Sequence, residues 1–149
     1  MIARRPISVA LAALLAAASN RPVGRGKKPT GAGQNYYVLY TLDAALDEPD
    51  LADMNDGLSP VYQVTSVSGP DPSKPGSVGD PDQAEWMADK AREVLLGRDP
   101  VTGLWLHPLN IPGVSTMGRS LDVEPGGTPD ATDGIISYVQ RFRFDLTPA

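Results

Sequence analysis

The chain has 149 residues, 41% of them apolar, with 15 Gly, 15 Pro, no cysteine and a formal charge of −5. That is the length of one ordinary domain with a sizeable core, and its Gly and Pro content announces many turns and long loops without the composition of a disordered chain. The lack of cysteine excludes a disulfide-stapled secreted module and a thiolate metal site, and is compatible with a reducing compartment.

Charge is segregated along the chain. Residues 1–42 carry six basic groups (Arg4, Arg5, Arg21, Arg25, Lys27, Lys28) and no acid. Residues 43–149 carry 7 basic groups and all 18 acids, a net −11. A basic end suits phosphate, a membrane surface or an acidic neighbour, or is simply a solvated, frayed segment. The acidic remainder argues against a domain that grips nucleic acid as a whole.

Met1–Asn20 looks like an export signal, with Arg4-Arg5, the apolar run Val9–Ala18 and small residues near Ala18-Ser19. The run is mostly alanine, however, and Ile7, Leu11, Leu14 and Leu15 recur at helical spacing. A signal core needs no single apolar face, whereas a helix packed on a sheet does. Pro6 suits a first turn, and Asn20 with Pro22 suits a stop. The spacing therefore predicts a domain helix, and the run is too short to span a membrane, which takes about 20 apolar residues.

Residues 23–34 read as a loop. Gly26-Lys27 fails as a phosphate loop, because Arg21 stands where the first glycine belongs and no Ser or Thr directly follows Lys27. Asn35–Leu42 reads as a strand with large residues on both faces: Tyr36, Val38 and Tyr40 against Tyr37, Leu39 and Thr41. Either a helix covers one face and a neighbouring subunit or further chain the other, or the strand is internal. Residues 43–60 read as an acidic loop. Asp53, Asn55 and Asp56 fail as a calcium loop, since the third ligand position is Gly57 and the twelfth residue is Val64 rather than Glu.

Val61–Ser68 reads as the second strand, and residues 69–79, with Pro70, Pro72 and Pro75, as a mobile loop or arm. The second helix has the clearest signals. Asp80 is a cap, Pro81 takes the first helical position, Gln83 completes a capping-box-like pattern, and Gly97 is the stop. Ala84, Met87, Ala88, Ala91, Val94 and Leu95 form one apolar face. Trp86 lies off that face, as rim packing or as an interface anchor.

Gly103–Leu109 and Ser115–Val123 read as short strands, residues 124–133 as a turn-rich loop, and Ile135–Leu146 as the last strand. In that strand Ile136, Tyr138, Phe142, Phe144 and Leu146 share a face interrupted by Gln140, and Ser137, Val139, Arg141, Arg143 and Asp145 share the other. The order predicts an α+β fold in one domain over residues 1–149: a mostly antiparallel sheet of four to five strands with two helices on one face.

No constellation for catalysis is legible. There is one histidine, His107, and no Gly-x-Ser-x-Gly elbow. A His-Cys pair or multi-histidine metal site is impossible within one chain. His107 reads as a hydrogen-bonded residue at a strand end, and Asp80/Asp82 and Asp130/Asp133 as cap and turn residues. The expectation is no enzyme, no metal and no cofactor.

Several segments resemble, in order, the tail terminator (tail completion) proteins of long-tailed bacteriophages, those of actinobacteriophages in particular. They are the N-terminal helix, Pro22-Val23-Gly24 with Pro29, Tyr37-Val38-Leu39-Tyr40, Tyr62-Gln63-Val64-Thr65-Ser66-Val67, Gln83-Ala84-Glu85-Trp86-Met87-Ala88-Asp89-Lys90-Ala91-Arg92, and Arg141-Phe142-Arg143-Phe144. The resemblance covers most of the chain. The Tyr-Gln-Val-Thr strand and the Gln-Ala-Glu-Trp helix are its most specific parts, and residues 69–79 depart from it as a longer link. It implies a small subunit of a hexameric ring that caps the tail tube, stops its growth and faces the head connector. It also implies the tube and connector proteins as partners, a lumen passing DNA without specific binding, and a place in the virion after assembly in the host cytoplasm. A different neck or minor tail component (connector or stopper) is the nearest alternative, and an exported binding domain a more distant one.

A ring needs two different patches on each subunit. The candidates are Val139, Arg141 and Arg143 on the last strand against acids of the 43–56 loop such as Asp53 and Asp56, with Trp86 as a further anchor; the surplus acid could alternatively line the lumen.

Overall fold

The computed structural model describes residues 2–46, 57–127 and 133–149. Among these residues, two helices and five strands run in the order α1 (Arg4–Ser19), β1 (Val23–Arg25), β2 (Asn35–Leu46), β3 (Leu58–Ser68), α2 (Pro81–Leu96), β4 (Val114–Gly127) and β5 (Ile136–Pro148). The sheet order is β1-β2-β3-β5-β4. β1 is parallel to β2 and every other pair is antiparallel. The fold is α+β, with both helices sharing one core on one face of the sheet.

Packing, not local capping, holds α1. Ile7, Leu11 and Leu15 are buried and Leu14 is half-buried at their flank. Burial of each such side chain contributes about 1.5–3 kcal/mol. The N-terminus has no side-chain cap, and Arg4 and Arg5 occupy the first turn, where the helix dipole disfavours cations. At the other end Asn20 takes the left-handed conformation (φ 56°) and its N–H returns to the Ala16 carbonyl at 3.0 Å. No helix of the described residues is long and apolar enough to cross a membrane.

α2 starts as its sequence predicts, with an Asp80 carboxylate oxygen accepting the Asp82 N–H at 3.0 Å and Pro81 in the first turn. The capping box does not close. The Asp80 N–H donates instead to Ser68 Oγ at 2.9 Å, which ties the helix start to the end of β3, and Gln83 Nε2 is left without a partner. At Gly97 the N–H meets the Glu93 carbonyl at 2.8 Å, and a Cβ would collide with that carbonyl.

Facing the helices are Tyr37 and Leu39 of β2, Tyr62 and Val64 of β3, and Phe142, Phe144 and Leu146 of β5. Tyr62 meets Phe144 edge-on, with ring centroids 6.0 Å apart. Both buried phenols find partners: Tyr37 Oη donates to the Met87 carbonyl at 2.6 Å, and Tyr62 Oη shares a hydrogen bond with Ser8 Oγ at 2.8 Å. Gln140 does sit within the core face of β5, buried, with its amide donating to Glu124 Oε1 at 2.9 Å.

Four sequence expectations need correction. Val23–Arg25, read as loop, is a strand, because its backbone pairs with Tyr37–Leu39. The first strand expected at Asn35–Leu42 continues to Leu46 and the next begins at Leu58, so the acidic connection is shorter than residues 43–60. β4 runs on to Gly127, since register shifts after Thr116, Leu121 and Val123 let its ladder continue past Pro125. Gly103–Leu109 is no strand: within it only Trp105 bridges, to Arg98.

The far face of β2 is partly covered by the chain itself. Tyr36, Val38 and Val67 form a second small cluster with Ala32 and Ile135. The segment at 69–79 is tied at both ends, by Gly69 N–H to the Gln34 carbonyl and Gly79 N–H to the Gly134 carbonyl, each at 2.7 Å.

Candidate functional site

Period-two alternation sends Val139, Arg141 and Arg143 away from the helices, onto the sheet face that the second cluster covers only at one end. Register aligns them with neighbours on both sides. Thr65, Gln63 and Val61 of β3 stand opposite Val139, Arg141 and Arg143, and Val123 and Ser120 of β4 stand opposite the two arginines. Tyr40 of β2 extends the row beyond Gln63. Tyr40, Val123 and, in a bulge of β4, Met117 are exposed.

The arginines on this face are held in place. Arg141 Nε donates to Gln63 Oε1 at 3.3 Å, and Gln63 Nε2 donates to Thr65 Oγ1 at 3.2 Å. Arg143 pairs with Asp145 at 3.3 Å, and the same carboxylate oxygen accepts the Ser59 hydroxyl at 2.7 Å. Such partly solvated pairs add little stability but fix side-chain direction. The result is a mixed surface of aliphatic, aromatic and guanidinium groups.

Trp86 lies on the other layer. It projects from α2, is 47% exposed, and carries the Arg21 guanidinium 5.2 Å from its ring centre. It therefore cannot share a contact surface with Arg141 and Arg143. Asp53 and Asp56 lie outside the described residues. Of the six candidates, then, the fold groups Val139, Arg141 and Arg143 and sets Trp86 apart.

One surface escaped the sequence reading. After α2 the chain folds back on itself: Leu106 N–H bonds the Gly97 carbonyl, Asp99 N–H the Leu104 carbonyl, and Gly103 N–H the Asp99 carbonyl. The Asp99 carboxylate accepts from the N–H groups of Val101 and Thr102, and Gly103 has φ +71°. The tip exposes Val101 (91%), Leu104 (69%) and Leu106 (45%). Asp99-Pro100 with Gly103 is turn chemistry and was the available signal; the apolar run that follows it reads more readily as a strand.

Arg119 of β4 anchors that segment. It is 8% exposed, and its Nη1 donates to the carbonyls of Leu95 (3.2 Å) and His107 (2.9 Å). Trp105 carries both Arg119 and Arg98 over its ring, at 4.7 and 3.9 Å. Burial, helped by the neighbouring Arg98 charge, draws the Arg119 pKa down to about 10. His107 thus supplies a backbone carbonyl here rather than standing at a strand end.

Of the carboxylates read as cap and turn residues, Asp80 caps α2 and Asp133 accepts the Ile135 N–H at 3.1 Å. Among the described residues no group of three or more His, Asp or Glu side chains could hold a metal ion. A depression of about 320 Å³ beside the second cluster brings together one amine, Lys28, and one carboxylate, Asp133, with no histidine. No family model matches the chain, and no curated protein is significantly similar to it.

Proposed function

We propose that the protein is a ring-forming structural subunit of a phage tail, a tail terminator that caps the finished tube, stops its growth and offers a surface for head joining. The observation that carries this reading is the Tyr62–Val67 strand together with the Gln83–Arg92 helix, the most specific part of the resemblance. In the fold these segments share one core, through Tyr62 and Val64 on one side and Met87 and Ala91 on the other. The two segments thus pack together as one unit.

A further feature fits assembly. The described surfaces offer faces of different chemistry: the open sheet face at Val139, Arg141 and Arg143, and a helix layer with exposed Trp86. A closed ring needs such unlike patches on each subunit. The reading places the protein in the tail and neck of the virion, with the tube and head connector as neighbours.

The test is the solution mass of the full-length protein by light scattering, negative-stain images of the same fraction, and co-assembly with tail tubes. The expected result is a six-fold ring with a central hole, or a monomer that caps tubes and limits their length. Tubes that grow to the same lengths with and without the protein would overturn the reading.

A further inference from the structure

We propose that copies of this chain join head to tail through charge, the cationic α1–β1 edge of one copy seating on the acidic α2–β4 side of the next. The inference deepens the ring reading and rests on it.

The cationic edge is built against local preference. Arg4 and Arg5 sit exposed in the first turn of α1, where the dipole favours acids, and no acid occurs among residues 1–42. Arg25, at the end of β1, lies on the same side: Ser8, one turn after Arg4, hydrogen-bonds Tyr62 Oη at 2.8 Å and Thr41 Oγ1 at 3.5 Å, and Arg25 pairs with Leu39 on that same strand β2. Against burial, which raises the Tyr62 pKa, the charges of both Arg25 and Arg4 accordingly pull it down. Lys27 follows, exposed, while Lys28 turns to the Tyr36 ring at 5.4 Å. Among the described residues the ion pairs are Lys90–Glu93 and Arg143–Asp145, and neither involves a cation of this edge. Cations placed against local preference, on a chain that carries a complementary acidic stripe elsewhere, suit a charge-bearing partner.

The acidic side is equally compact. Asp82, Glu85 and Asp89 recur at three- and four-residue spacing along the exposed stripe of α2. Glu124 of β4 lies on the helix-facing side of the sheet, where its carboxylate accepts from the Gln140 amide at 2.9 Å; after burial, its charge and those of Glu85 and Asp89 raise the pKa of Tyr138, with Arg92 the one cation opposing them. Lys90 is engaged by Glu93 at 3.4 Å.

Placement decides how the two patches can meet. β1 and β4 are the opposite edge strands of the sheet. α1 contacts β1 and α2, and α2 also contacts β3, β5 and β4. The cationic patch thus lies by one sheet edge and Glu124 by the other, which suits one neighbour on either side, the heterologous joint that closes a ring or runs on as a filament. A nucleic acid would use only the cationic edge and be repelled by the rest of the domain. A second copy carries the complement for both.

The test uses the full-length chain. One variant reverses the cationic edge (Arg4→Glu, Arg5→Glu, Arg25→Glu); a second reverses the acidic side (Glu85→Lys, Asp89→Lys). All five positions are exposed, so circular dichroism should report an unchanged fold. Each variant alone should fall to the mass of a single chain. An equimolar mixture should regain the assembled mass, because the acidic edge of one now faces the basic side of the other. Salt should dissolve the wild-type assembly as the Debye length shrinks from about 10 Å at 0.1 M to about 3 Å at 1 M.

A wild-type chain that is monomeric at low salt, a mass indifferent to reversal, or a mixture that stays monomeric would overturn the proposal. So would reversal that abolishes a gel shift of duplex DNA while leaving the mass unchanged, which would assign the cationic edge to phosphate. Tube capping separates the two readings. Reversed variants that still limit tube length would defeat the pairing and spare the terminator reading, whereas complementary assembly without length control would do the opposite.

Discussion

Tyr37 and Tyr62 couple the stability of the fold to alkaline pH. Burial drives both phenol pKa values above the ordinary 10.0, most strongly at Tyr37, against smaller lowering by Arg21 and Ser19 there and by Ser8, Arg25, Arg4 and Thr41 at Tyr62. The unfolded chain then releases these protons first. Stability is intact below about pH 10 and is lost as pH rises through the folded pKa values. Urea midpoints should be flat up to that point and fall beyond it, and Tyr37→Phe should reduce the slope. At neutral pH the same substitution should cost about 1 kcal/mol, the worth of a hydrogen bond to the Met87 carbonyl. Arg119 acts differently. Arg119→Ala would leave the Leu95 and His107 carbonyls without this donor and uncover Trp105. The expected loss is about 2–3 kcal/mol by urea unfolding, with loosening of the segment between α2 and β4 detectable by amide hydrogen exchange.

At the scale of elements, α1 is the sharpest case. An alanine-rich run behind two arginines resembles a leader, yet its Ile7, Leu11 and Leu15 stripe packs into the domain core. Leu11→Ala should therefore destabilise the whole domain by about 2–5 kcal/mol, whereas Val9→Ser, at a position 46% exposed, should stay within about 0.5 kcal/mol. Equal effects in thermal melts would mean that α1 is not part of the core. Both helices and the inward face of β5 were legible because their signals are local: a cap, a proline, a glycine, a periodicity. β1 was not, because Val23–Arg25 has no strand pattern of its own and exists through its pairing with Tyr37–Leu39. The 103–109 stretch misled for the converse reason. Its Leu and Trp residues suit a strand, but they are drawn into a turn by Asp99 and held under Arg119 and Arg98.

For the whole molecule, the open sheet face gives a separate prediction. The double reversal Arg141→Glu with Arg143→Glu should leave the thermal midpoint nearly unchanged, since both side chains are partly solvated, and should abolish control of tube length. Tubes capped normally by that variant would remove this face from the assembly. The chain by itself determined the α+β composition of the fold, the inward stripes of both helices and β5, and the segregation of cations from acids, because each follows from neighbours along the sequence. Only the tertiary structure decided that Val139, Arg141 and Arg143 share a surface from which Trp86 is excluded, that Ala32 and Ile135 cover part of the far face, and that α1 packs by edge strand β1 while the acid-bearing α2 lies over β3, β5 and β4. Those relations depend on strand order, which is set by pairings between distant segments and carries no local mark.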